Sequence, residues 1–348
     1  MQGINVSTLT TIPDFEPGKR TVVVLGANSF SGQDFVDLLL DQPVYRVIGV
    51  SRSAERSPLF LKYLEREDRS QFTYHQIDMN HDVASLLNLL DMERPAWIVN
   101  FAAQSEVAPS WDHPEHWFQT NCVAFAKMIN HLRRQDYLER YLHVSSPEVY
   151  GTCVGKVTEQ APLNPSTPYA ASKAAADLLL SAYRKHYRFP LLTVRATNVY
   201  GARQQLFKII PRAAIYLQTG RKIELHGGGR AVKSFIHIRD VSRGELAILE
   251  RGRIGQIYHL SPDHGIAVRD IVAKLCAELN HSFSESVIAV DERPGQDAAY
   301  VIDSSLARTE LGWQPEVTLA EGLKEVINWV QSNLTEIRKS PLSYKHKP

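Results

Sequence analysis

The residues best equipped for chemistry fall in one stretch, His143 to Lys173. It contains a serine pair, Ser145 and Ser146, then a carboxylate, Glu148, and then Tyr169 four residues before Lys173. Read as strand, loop and helix, it gathers a hydroxyl, a carboxylate, a phenol and an ammonium around one point. That set can move a proton and a hydride on an alcohol. Positions i and i+4 share a helix face, so the ammonium lies beside the phenol. It lowers the phenol's pKa and lets Tyr169 act as a base near neutral pH. Lys173 can also hold the ribose of a nicotinamide cofactor. The spacing is a common one, and its plainer reading is an exposed helix face. Here, Tyr169 is the only tyrosine with a lysine four residues later, and it follows the serine pair by one strand-to-loop step. Glu148 suits removal of an acidified C–H from a sugar, or else serves as a cap or surface carboxylate.

Alternating strands and helices must position this set. Thr21 to Leu25 is a β-branched run that reads as a buried strand, and it leads into Gly26, Asn28, Ser29, Phe30 and Gly32 before an amphipathic helix. Strand, small-residue turn and helix form a dinucleotide cradle, with the helix N-terminus facing a pyrophosphate. The spacing is Gly-x-x-Ser-x-x-Gly, with Ser29 where a middle glycine is usual. Val44 to Val50 is the second strand and ends in Ser51-Arg52-Ser53 with no carboxylate, which favours NADP, with NAD as the alternative. A charged helix over Leu61 to Arg69 and a third strand over Phe72 to Ile77 follow. Asp78, just beyond, is placed to meet an adenine amino group. Ala96 to Phe101 is a fourth strand opening into Ala102, Ala103, Gln104 and Ser105, whose small residues let a cofactor lie across the strand end. A long helix leads to a fifth strand, Tyr141 to Ser145. The expected fold is α/β: a doubly wound, Rossmann-type parallel sheet with ligands at the carboxyl ends of its strands.

After Asn198 the alternation weakens into a smaller mixed α/β lobe. The expected organisation is a flexible arm (1–19), a dinucleotide-binding domain (20–200 with 234–262), a substrate lobe (201–233 with 263–335) and a basic, disordered tail (336–348). The 348 residues are 44% hydrophobic and 22% charged, with a net charge of +1. That balance gives no reason to expect nucleic acid or a membrane surface as partner. Three cysteines without CxxC spacing, and no signal-like apolar N-terminus, suit a reducing, cytoplasmic setting. The histidines show no metal-ligand spacing, so no metal is expected.

The segments HVSSPEVYG, TPYAASKAAAD, NVYG and SFIHIRDV, with the Arg-Pro-Gly-x-Asp-x-x-Tyr signature starting at Arg293, resemble the extended short-chain dehydrogenase/reductase superfamily. Within it, the chain is most similar to nucleotide-sugar dehydratases of the dTDP-glucose and GDP-mannose 4,6-dehydratase type, over roughly residues 20–335. The resemblance implies a tightly bound cofactor and a three-step cycle: oxidation at C4, loss of water across C5–C6, and return of hydride to C6. It implies Tyr169 as the C4 base, Ser146 polarising the same oxygen, and Glu148 taking the C5 proton. It makes Gln104, Ser105, Glu106, Asn198, Lys208, Lys233 and Arg293 the substrate contacts. It also implies a homodimer paired through a four-helix bundle formed by the helices near 115–134 and 167–187.

Two departures matter. Pro147 stands where the dTDP-glucose branch has a proton-donating Asp, and Glu106 stands where the family has His. Glu106 or a water is therefore the expected proton source for the leaving hydroxyl. The alternatives are a nucleotide-sugar 4-epimerase, a nucleotide-glucuronate decarboxylase, or a cofactor-binding scaffold without catalysis.

Overall fold

The computed structural model describes residues 18–152, 155–291 and 301–347. Its frame is a seven-stranded, all-parallel sheet. The strands are β1 (Arg20–Leu25), β2 (Tyr45–Ser51), β3 (Phe72–Gln76), β4 (Trp97–Asn100), β5 (Arg140–Val144), β6 (Leu191–Ala196) and β7 (Ile257–Leu260). Their order across the sheet is β7-β6-β5-β4-β1-β2-β3. The order reverses at β1, whose neighbours are β2 and β4, and the crevice at that switch point is where ligands bind such sheets.

The β-branched run of β1 is explained by burial on both faces. Val22 and Val24 pack with Phe35, Val36 and Leu39 of helix α1 (Phe30–Leu39), while Val23 and Leu25 pack with Leu86, Leu89 and Leu90 of α2 (Val83–Glu93). On the α2 side runs a long helix made of α3 (Pro114–Phe118), a π-helical segment at Gln119–Ala124, and α4 (Phe125–Leu132). Beside it lies α5 (Pro168–Tyr187), whose N-cap Thr167 accepts from the Ala170 N–H and whose first residue is Pro168.

The strand β7 has no counterpart in the expected elements, although it completes one edge of the sheet. The charged helix expected over Leu61 to Arg69 is only a short 3₁₀ turn, Lys62–Glu65. The buried residues there, Leu59, Leu61 and Tyr63, alternate at a spacing of two, which an extended chain satisfies and an α-helix does not.

A separate apolar core sits beyond the sheet. It joins Ile210, Ala213, Ala214 and Leu217 to Ile271, Val272 and Leu275, and to Leu323, Val326 and Val330. Short strand pairs tie this part together, including Asn198–Tyr200 with Phe235–His237 and Ile223–His226 with Val287–Val290. No helix among the described residues is long and apolar enough to cross a membrane.

The tail is a correction. Residues Leu334–Arg338 form a further helical turn, and the chain beyond it is bound to the protein rather than disordered. Leu342 packs on the second core, Tyr344 meets Phe207 edge-on at 5.5 Å, and His346 stacks on Trp117 at 5.2 Å. The apolar and aromatic side chains occupy alternate positions, so an extended strap lays them on the protein. Ser343 and Lys345 between them hide this pattern in the sequence.

Candidate active site

The turn between β1 and α1 forms a cradle only glycine can make. Gly26 has φ +86, and a Cβ there would lie 2.8 Å from the Ala102 amide nitrogen. A Cβ on Gly32 would lie 2.2 Å from the Gly26 carbonyl oxygen. Ser29 caps α1 by accepting from the Gly32 N–H at 2.9 Å, which explains a serine in place of the middle glycine. The cavity above is lined by Gly26, Asn28, Ser29, Ser51, Arg52, Asp78, Ala102 and Gln104. Close backbone approach and a helix N-terminus at the edge of the cleft together fit a dinucleotide.

Several of the expected cofactor contacts also build the cradle. The Asn28 amide donates to the Ser53 and Ala54 carbonyls at 3.0 and 2.7 Å and to the Tyr74 hydroxyl at 2.7 Å. Ser51 Oγ accepts from the Asn28 N–H at 2.9 Å. Phe30 is buried, and neither it nor Gly32 belongs to the cavity lining. Asp78 does line it, while also accepting from the Asn80 N–H at 2.9 Å. Arg56, which no motif singles out, joins Arg52 in the lining and stacks on Phe60 at 3.7 Å.

The catalytic candidates meet where β5 ends. Tyr169 and Lys173 lie on the buried stripe of α5, and Lys173 Nζ donates to the Val144 carbonyl at 2.8 Å. The Ser146 hydroxyl hydrogen-bonds the Tyr169 phenol. Glu148 follows on a short turn whose N-cap is Ser146 and whose first residue is Pro147. The expected lowering of the Tyr169 pKa by Lys173 is reversed here. Burial pushes the phenol up, the Glu148 charge adds to it, and only the Ser146 hydrogen bond opposes. Burial pulls Lys173 down to about 8.

One turn further along α5, Asp177 extends this line. It accepts from Ser145 Oγ at 2.7 Å and Arg195 Nη2 at 2.6 Å, and lies 3.3 Å from His143 Nε2. Burial opposes its charge, but His143 and Arg195 outweigh burial and hold the carboxyl well below its usual range. Arg195 is the lasting contributor, because burial keeps His143 neutral, with a pKa pushed down to about 4. Arg195 also donates to the Tyr150 hydroxyl, which contacts His259 Nε2 at 2.7 Å. Two signals in the sequence could have found this network. Asp177 stands four residues after Lys173, and Arg195 is the one charge in an otherwise uncharged strand. Asn121, also unforeseen, lies outside this network: it exchanges hydrogen bonds with the Gln104 backbone at 2.9 and 3.0 Å and donates to Ser172 Oγ at 2.9 Å.

Opposite Tyr169, the cleft continues into the second core. Ser146, Pro147 and Glu148 line one cavity together with Asn198 and Lys208. Glu106, Asn198, Lys208, Arg212, His226 and Lys233 line the next one. Lys208 Nζ bridges to Glu106 at 2.8 Å, across the cleft. Arg212, not singled out in the sequence, brings a buried Nε with no hydrogen-bond partner. Ser105 is exposed and lines neither cavity. Arg293 lies outside the described residues. The strap reaches the cofactor side, where the Lys347 carbonyl accepts from Gln104 Nε2 at 2.6 Å and from Arg52 Nη1 at 3.3 Å.

The family model described as GDP-mannose 4,6 dehydratase matches residues 23–326. A dTDP-glucose 4,6-dehydratase of Xanthomonas campestris pv. campestris is 34% identical over 276 residues, covering 74% of this chain and 78% of the relative. The dTDP-D-glucose 4,6-dehydratase of Homo sapiens is 30% identical over 322 residues, covering 90% of this chain and 91% of the relative. The crystal structure of DesIV, a dTDP-glucose 4,6-dehydratase from Streptomyces venezuelae with NAD bound, superposes with a TM-score of 0.83 at 31% identity, covering 91% of this chain and 98% of that one.

Proposed function

Because the chain belongs to the GDP-mannose 4,6-dehydratase family and is a nucleotide-sugar 4,6-dehydratase, we propose that Tyr169, Ser146 and Glu148 divide the chemistry of that reaction among them. The observation that carries this reading is a carboxylate, Glu148, on the turn that begins at Ser146, the residue bonded to the Tyr169 phenol. A base for a carbon-bound proton thus stands beside the pair that handles the alcohol.

When bound, a nicotinamide cofactor accepts the C4 hydride and later gives it back at C6. Tyr169 takes the proton of the C4 hydroxyl, and Ser146 donates to the same oxygen. The resulting ketone acidifies C5–H, and Glu148 removes that proton. Pro147 has no proton to give, so Glu106 or a water protonates the leaving C6 hydroxyl. Lys173, one turn along α5 from Tyr169, is assigned to the cofactor's ribose, and the Asp177 charge favours its ammonium form. Charge that develops in a pocket this dry is stabilised by groups already in place, as Lys173 and Ser146 are.

Gly26, Ser29, Arg52, Asp78 and Ala102 form the cofactor side, with Asn28, Phe30, Gly32 and Ser51 supporting the turn. We propose NAD as the resident cofactor, as in the DesIV structure. Arg52 and Arg56 leave room for a 2′-phosphate, so denaturing the purified protein and weighing the released dinucleotide decides between NAD and NADP. Lys208, Arg212 and Lys233 suit the diphosphate of the substrate, with Gln104, Glu106 and Asn198 lining its path and Arg293 assigned to the same clamp. Phe118, Val123 and Leu178, which are large, apolar and exposed on the long helix and on α5, support a homodimer paired through these helices. A monomer by light scattering would remove that part. The two described free cysteines, Cys122 and Cys276, suit a reducing cytoplasm.

The deciding experiment mixes the protein separately with GDP-mannose, dTDP-glucose, CDP-glucose and UDP-GlcNAc, without added cofactor, and follows mass. Loss of one water from one of them is expected. An unchanged mass accompanied by a 4-epimer on chromatography would instead establish epimerisation.

A further inference from the structure

Outside the catalytic cleft, three donor atoms converge on one point beside the strap. His113, Glu115 and His116 each offer one ligand atom, all within 4.8 Å of one another. Glu115 Oε1 stands 3.9 Å from His113 Nδ1 and 3.7 Å from His116 Nε2. Donors on one tetrahedral ion with bonds of about 2.1 Å lie about 3.4 Å apart, so these side chains must draw together by up to about 1.4 Å to share an ion, which exposed rotamers allow. Two imidazoles and a carboxylate are a donor set for zinc, cobalt or nickel rather than for calcium or magnesium.

A second observation comes from the far end of the chain. His346 Nε2 contacts His116 Nδ1 at 2.8 Å, on the ring nitrogen opposite the one that faces Glu115. A metal-bound imidazole commonly uses its other nitrogen to donate to an outer partner that fixes its orientation. His346 is in that position. It stacks nearly parallel to His113 at 5.1 Å and to Trp117 at 5.2 Å, and the next residue, Lys347, places its carbonyl on Gln104 and Arg52.

We propose that His113, Glu115 and His116 bind one divalent transition-metal ion, with His346 as the outer partner of His116, so that the ion clasps the C-terminal strap over the cofactor cleft. The three donors lie within four residues of sequence, and the outer partner arrives from 230 residues away. The inference does not depend on the dehydratase reading, since none of the four residues handles substrate.

The test uses the full chain after chelator treatment and dialysis. Zinc is titrated calorimetrically and cobalt by its visible spectrum, while trypsin cleavage at Lys345 reports strap release. One equivalent of zinc should bind, cobalt should show a low-symmetry spectrum, and zinc should slow the cleavage. His116→Ala and His113→Ala should each abolish binding. His346→Ala should weaken it about 10- to 100-fold, the usual effect of removing an outer partner, and should remove the zinc effect on cleavage. Circular dichroism and dehydratase turnover confirm that the variants fold. Zinc binding that survives in both His116→Ala and His113→Ala overturns the site. Unchanged affinity in His346→Ala overturns the clasp.

Discussion

The sheet side and the lobe side of the cleft are built from different kinds of contact. On the sheet side, Tyr169, Lys173 and Asp177 stand at successive turns of α5, are buried, and are held by Ser146, the Val144 carbonyl and Arg195. On the lobe side, Glu106 meets Lys208 across 102 residues of sequence, and both are partly open to solvent. The difference separates two tasks. Groups that move protons need fixed geometry before substrate arrives, whereas groups that recognise a large, charged substrate must admit it first.

Substitutions on the two sides should therefore fail in different ways, and the largest failure is expected at the phenol. Tyr169→Phe keeps the ring and removes the base, so turnover should fall about 10³-fold with KM little changed. A loss of binding instead would place Tyr169 with the recognition groups. Glu148→Gln should cost about 10²-fold in water loss, measured by mass, while a brief rise in reduced-cofactor absorbance persists because oxidation is spared. If oxidation and elimination fall together, Glu148 is not a separate base.

A smaller effect is expected in the pH profile. Burial lowers the Lys173 pKa to about 8, and the ammonium is the active form, so activity should decline as pH rises through that value. Asp177 raises that pKa, so Asp177→Asn should move the decline to lower pH. It should also cost about 3 kcal/mol in urea unfolding, because Arg195 loses its buried partner. A pH profile that does not move would confine Asp177 to the fold. The smallest effect is expected on the lobe side, where Lys208→Ala should raise KM about 10-fold and leave kcat nearly intact.

The same division decides what could be read from the chain beforehand. Tyr169 and Lys173 are legible because the helical period joins residues four apart, and β1 is legible because a β-branched run with a glycine turn has few other uses. Ser29 looked like a flaw in the glycine pattern until its capping role appeared, since a cap depends on where the helix starts. The strap was not legible: its alternating Leu342, Tyr344 and His346 are too few to stand out, and their partners lie hundreds of residues earlier. The Tyr169 pKa was misjudged for a related reason, because burial and Glu148 act through space and no spacing rule weighs them against Lys173.

The π-helical segment at Gln119–Ala124 carries a consequence for any attempt to shorten this helix. It holds one residue more than an α-helix would over the same rise. Deleting a single residue there would restore the ordinary period without turning the flanking residues about the axis, because the wide turn already absorbs the extra residue. His113, His116 and Trp117 would keep their places against the strap, whereas Asn121, inside the segment, would lose its aim at Gln104 and Ser172. A deletion of that kind should disturb the cofactor-side loop and leave the strap docked.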